Sequence, residues 1–306
     1  MQFSLLVILG LFFSACAGTS SSLANPAFVE VPLTAKAKWN EPVPSNKEVP
    51  TVREVYNHRA PGEDGIVYEN GKKASKMASP AGTIAHELVH GINSHWRNLR
   101  SGHAAFYVPF VGVAYLKNPM AKRIQMATLI APELRGIDGT GGRFHEYIQT
   151  KAGGEPDAGT YFDPSNGKKL WGETDVFYIW DEWNAYIVGG RAYLEAEQTF
   201  GPERWDGLTG PVEFMIYAAA GLQAIQKHDL SYYQSAHYKE AKDLFAFFAE
   251  ETVKLLSDGK GSTLKGEKAE AYLERLRGSQ SPQAVQLREF LRAEFGADWT
   301  SHTLGL

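Results

Sequence analysis

Apolar side chains recur at helical spacing through most of the second half of the chain. Phe214, Ala218, Leu222 and Ile225 form one stripe, and Leu244, Phe247, Phe248, Leu255 and Leu256 form another. Leu273, Leu276, Leu287, Phe290 and Leu291 continue the pattern. A recurrence of about three to four residues puts these side chains on one face of a helix, where core packing is the expected role. The pattern predicts helices near 172–198, 211–228, 235–257, 266–277 and 283–295. Pro202, Pro211, Gly259-Lys260-Gly261 and Ser281-Pro282 fall between them and supply the breaks.

The first half reads differently. Gly65 to Lys72 has the composition of a strand entering an Asn70-Gly71 turn, so a small hairpin is expected there. Ile84, Leu88, Ile92 and Leu99 then make an apolar helical stripe, with Pro80 and Thr83 near its start. Ala104 to Tyr115 is apolar, aromatic and β-branched, and Pro109 interrupts it. It is too short to span a bilayer, and buried strand or core-lining loop is preferred over a segment dipping into a membrane. The fold class that follows is predominantly α (α+β), with a small β portion near the 84–99 helix and a helical C-terminal half. Arg135 to Arg143 is glycine-rich but lacks the residue order of a phosphate-binding P-loop.

Charge and cysteine usage narrow the picture further. The net charge is −4 and no basic run occurs, which gives no support to nucleic-acid binding. Met1 to Cys16 is a short apolar run ending in small residues, as in a secretory signal. Phe13-Ser14-Ala15-Cys16 resembles a bacterial lipobox, and Cys16 is the only cysteine of the chain. That resemblance implies a lipidated Cys16 and an envelope location, on the outer membrane by the weak criterion that Ala17 and Gly18 follow. Residues 17–57, rich in Ser, Pro, Ala and Lys, read as an extended tether. Residues 58–306 read as one domain, in which 58–150 carries the 84–99 helix and 151–306 is helical.

The candidate chemistry lies on the first long helix. His86-Glu87-Leu88-Val89-His90 places two imidazoles one turn apart on one helical face, where both can ligate one metal ion. Gly91 leaves room beside His90 for a neighbouring element. A catalytic zinc takes three protein ligands, so a third must come from elsewhere. Asn93 and Trp96 stand where the metzincin pattern has glycine and histidine, which excludes that class. The preferred third ligand is Glu182, in the aromatic run Phe177 to Tyr186, because a carboxylate in such surroundings needs a partner. On its face lie Tyr178, Ala185, Tyr186 and Gly189, whose small members would let another helix approach. Asp181, Glu146, His145 and Glu173 are the alternatives.

His86-Glu87-Leu88-Val89-His90 with a later glutamate resembles the gluzincin group of zinc metallopeptidases. The resemblance implies a Zn²⁺ held by His86, His90 and Glu182, with Glu87 as general base toward a zinc-activated water. The developing oxyanion needs a donor besides zinc; Tyr186 is preferred, Tyr178 is the other phenol near Glu182 in sequence, and Tyr147 and His145 are more distant candidates. The expected substrate is a peptide or protein at the cell envelope. Two other functions stay open: hydrolysis of peptidoglycan stem peptides, and a non-catalytic envelope lipoprotein with a structural or vestigial metal site.

Overall fold

The computed structural model describes residues 26–30, 49–60, 68–69, 72–73, 81–119, 130–134, 137, 176–201, 208–260 and 267–306. Among them the helices are α1 (Pro50–Asn57), α2 (Ala81–Leu99), α3 (Val176–Phe200), α4 (Thr209–His228) and α5 (Leu230–Tyr233). They continue with α6 (Ala236–Asp258), α7 (Glu267–Gly278), α8 (Pro282–Phe295) and α9 (Ala297–Leu304). The strands are β1 (Phe28–Val29), β2 (Tyr68–Glu69), β3 (Lys72–Lys73), β4 (His103–Val108) and β5 (Gly112–Lys117). The chain is thus mostly helical with a small antiparallel sheet, as the hydrophobic pattern predicts.

The central element is α3. It is buried on nearly every side, and α2 and α4 are the two elements that pack on it most extensively. Ala185, Val188, Ala192 and Ala196 form its contact face toward α2, where Ile84, Leu88, Val89 and Ile92 are also buried. Small residues let the two backbones approach closely, which brings polar side chains on α2 within reach of those on α3. The opposite side of α3, including Ile179, Trp180 and Trp183, joins the larger core built by α4, α6, α7 and α8.

The sheet has the order β1-β5-β4, with Tyr107 paired to Val113 and Val29 to Val113 from the other side. Ala105, Tyr107 and Val113 enter the smaller core, whereas Ala104, Phe106, Ala114 and Leu116 enter the larger one. A sheet buried on both faces needs no polar alternation, which explains the unbroken apolar composition of 104–115. Pro109 sits in the β4–β5 turn, where it interrupts no ladder. Gly112 has φ +136°, and a Cβ there would lie 2.4 Å from the Val29 carbonyl oxygen, so β1 can pair here only against glycine.

Two expectations need correction, and two short helices add to the expected set. The tether expected over residues 17–57 contains two structured pieces, β1 and α1. Val49, Val52 and Val55 bury themselves against α2, and Pro50 suits the first turn of α1. The Glu195 carboxylate accepts from the Thr51 amide at 2.8 Å and the Thr51 hydroxyl at 2.7 Å, satisfying donors that the start of a helix leaves open. The α2 stripe stops at Ile92, because Leu99 is the last helical residue and is 64% exposed. Finally, the short helices α5 and α9 were not expected from the hydrophobic pattern. β2 and β3 pair Tyr68 with Lys73, in keeping with the expected hairpin.

Candidate metal centre

The i,i+4 spacing on α2 brings the His86 and His90 rings together, with Nε2 atoms 3.1 Å apart. From α3, one Glu182 oxygen lies 3.7 Å from His86 Nε2 and 3.6 Å from His90 Nε2. These three side chains are 12%, 22% and 13% exposed, so solvent screens their interactions weakly. They are the one group of three or more potential ligands among the described residues whose donor atoms converge, all within 4.8 Å of one another. Four ligands at roughly 2.0–2.1 Å from a tetrahedral zinc stand about 3.3 Å apart, close to the separations seen here. These three residues could therefore hold a metal ion.

Asp181, the neighbouring carboxylate, has a different place. Its Oδ2 accepts from His90 Nδ1 at 2.8 Å, on the ring nitrogen facing away from His86 and Glu182. Its Oδ1 accepts from the Asn93 amide at 2.6 Å. Asp181 thus holds a ring that could bind metal, in the arrangement by which carboxylates orient metal-ligating histidines. Asn93 Oδ1 accepts the Tyr107 backbone N–H at 2.6 Å, and Asn184 donates to the Tyr107 carbonyl at 2.9 Å. Both asparagines are essentially fully buried.

The phenols divide in the same way. Tyr178 is hydrogen-bonded to the Glu182 carboxylate. The Tyr186 ring stands edge-on to His86 at 4.5 Å and stacks on Phe214 at 5.2 Å between centroids. A Cβ on Gly210 would lie 2.2 Å from the Tyr186 ring, so α4 can seat that ring only because its first turn carries glycine. Cys16, His145, Glu146, Tyr147 and Glu173 lie outside the described residues.

The electrostatics follow from the geometry. Burial opposes the charge of His90, but Asp181 and Glu182 on its two nitrogens prevail and raise its pKa to about 10. Burial likewise works against the charge of Glu182, yet His90, His86 and the Tyr178 hydroxyl hold its carboxyl below the ordinary value. Glu87 is raised, chiefly by desolvation, with His90 lowering and Glu182 raising it. Without metal, His90 keeps its proton at neutral pH. That proton stabilises the metal-free fold fully below the ordinary 6.5, and the contribution is lost as pH rises through about 10. Metal uptake must expel it. Apparent zinc affinity is therefore expected to rise with pH across the neutral range, with about one proton released per ion bound. Calorimetry in buffers of different ionisation enthalpy measures the release, and a pH-independent affinity would show that His90 enters the reaction neutral.

No family model matches the chain, and no curated protein or solved structure is detectably similar to it. The functional reading accordingly rests on the site itself. The aromatic surroundings together with the small Ala185 and Gly189 favour Glu182, but the buried amides Asn93 and Asn184 escape sequence reading. Asn93 offers one signal in retrospect, as a polar residue one position after the buried Ile92 and three after His90. Asn184 offers none beyond its place in an aromatic run.

Proposed function

We propose that this chain is a zinc-dependent hydrolase of peptide bonds, held at the cell envelope through a lipid on Cys16. The observation that carries the reading is the convergence of His86, His90 and Glu182 with Glu87 on the same helix. Two imidazoles and a carboxylate also suit non-haem iron. A carboxylate beside them that is no part of the donor trio favours hydrolysis, because a water nucleophile needs a base.

The roles divide among the chain's own residues. His86, His90 and Glu182 would hold the ion, which when bound supplies Lewis acidity and lowers the pKa of water. Glu87 takes the proton of the attacking water and returns it to the leaving amine. Its carboxyl is raised above the ordinary value, chiefly by desolvation, yet its side chain is exposed and open to water. Asp181 fixes the ring of His90, and Tyr178 fixes the carboxylate of Glu182. Tyr186, packed against His86, is the candidate donor to the oxyanion.

The test uses the purified full chain. Hydrolysis of casein or of isolated cell wall is expected to stop on chelation and to return with zinc. Release of wall peptides alone would assign stem peptides as the substrate. Absence of hydrolysis with either substrate, or restoration by iron alone, would overturn the reading. Detergent-phase partitioning that survives Cys16→Ser would remove the lipid anchor from it.

A further inference from the structure

We infer that Asn93 is a positioning residue for the metal centre, setting the plane of Asp181 and through it the ring of His90. The consequence for metal rests on the reading above; the geometry does not. Asp181 has both oxygens engaged, Oδ2 by His90 Nδ1 at 2.8 Å and Oδ1 by Asn93 Nδ2 at 2.6 Å. A carboxylate turns through a broad torsional well when only one oxygen is held. Contacts on both oxygens close that freedom. At 8% exposure, water offers little substitute for either contact.

Asn93 is itself fixed from two sides. Its Nδ2 donates to Asp181 while its Oδ1 accepts the Tyr107 N–H at 2.6 Å. Turning the amide over would set oxygen against the Asp181 carboxylate and NH₂ against an N–H donor, so a single orientation satisfies both partners. Tyr107 is held in turn by its buried ring and by the β4–β5 ladder, and its carbonyl also accepts from Asn184 of α3 at 2.9 Å. Its N–H and C=O are thereby tied to α2 and α3 from the edge strand of the sheet. The line runs from a strand peptide through an amide and a carboxylate to an imidazole. His90 and Asn93 lie at i,i+3 on α2, on the face that meets Asp181.

Removing Asn93 leaves Asp181 Oδ1 buried without its donor, and the carboxylate then turns or draws in water. His90 loses the fixed acceptor that keeps its proton on Nδ1 and its Nε2 directed at His86 and Glu182. Loss of an outer hydrogen bond of this kind typically weakens metal binding about 10–100-fold. Asn184→Ala is the matched control. It deletes a hydrogen bond to the same Tyr107 peptide, which its buried ring and strand pairing still hold, without touching Asp181.

The experiment measures zinc affinity by competition with a chromogenic chelator, together with thermal unfolding, in the full-length wild type, Asn93→Ala and Asn184→Ala. The expected result is a loss of about 10–100-fold in affinity for Asn93→Ala, with Asn184→Ala binding like wild type even where it unfolds at lower temperature. Equal losses in both variants, or none in either, would overturn the inference. Should Asn93→Ala fail to fold, Asn93→Ser, whose hydroxyl both donates and accepts, takes its place with a smaller expected loss in the same direction. Should the wild type bind no zinc, the metal reading fails by itself and the positioning role is read from the NMR signal of the His90 Nδ1 proton. That signal is expected in wild type and Asn184→Ala and lost in the Asn93 variant; its persistence there would overturn the inference.

Discussion

Glu87→Gln is expected to keep its zinc and to lose hydrolysis by about 10²–10⁴-fold, the range that a general base contributes. The expectation follows from where Glu87 stands. It shares α2 with His86 and His90 but is not one of the converging donor atoms, so its removal takes nothing from the metal. Glutamine matches its shape and can still hydrogen-bond a water, but it cannot accept a proton. The charges of His90 and Glu182 act on the Glu87 carboxyl, whose pKa is raised chiefly by desolvation, while the side chain stays exposed on α2. Rate and metal content must be measured on the same preparation. Undiminished hydrolysis in the variant would remove Glu87 as the base. Loss of metal would instead mean that it takes part in binding.

How far the sequence foretold this centre depended on the range of the signal. The long helices were legible because their apolar stripes repeat over many turns, so that expected and observed bounds differ by a few residues. Helix α1 was not, since its eight residues carry a Ser/Pro/Lys-flanked composition and fold through contacts with α2 and Glu195. The β4–β5 hairpin was half legible. Its apolar run marked burial, but burial on both faces erased the alternation that would have named it a strand.

At the site, i,i+4 spacing pairs His86 with His90, the cost of burying a charge marks the carboxylates of the aromatic run, and the small Ala185 and Gly189 favour Glu182 among them. Asp181 and Glu182, about 100° apart on a helix, are expected as alternatives for one role. The structure uses the divergence differently. The two carboxylates reach opposite nitrogens of one imidazole, Asp181 at Nδ1 and Glu182 toward Nε2. Nothing in a single sequence announces Asn93, because its partners Tyr107 and Asp181 are 14 and 88 residues away and an amide leaves no periodic trace.

Glu182→Gln is expected to empty the centre of metal. Removing one partner from a buried charged set costs about 3–5 kcal/mol, a factor of roughly 10²–10⁴ in affinity. Glutamine keeps the volume, so packing against Tyr178 is retained and the loss reports charge and ligation. The metal-free protein carries a second signature. Glu182 is one of the two carboxylates that raise His90, and its neutralisation brings the His90 pKa down from about 10, with Asp181 still raising it. Asp181→Asn should behave otherwise: it leaves all three donor atoms in place and disturbs only the far side of the His90 ring, so affinity falls by about 10–100-fold. The three carboxylates are thus separable by two measurements, metal content and rate. Glu87→Gln keeps metal and loses rate, Glu182→Gln loses both, and Asp181→Asn regains rate when zinc is raised to saturation. Stoichiometric zinc in Glu182→Gln would show that the third ligand comes from another part of the chain. The His86/His90 pair would remain, and Glu182 would be left as the counter-charge of His90.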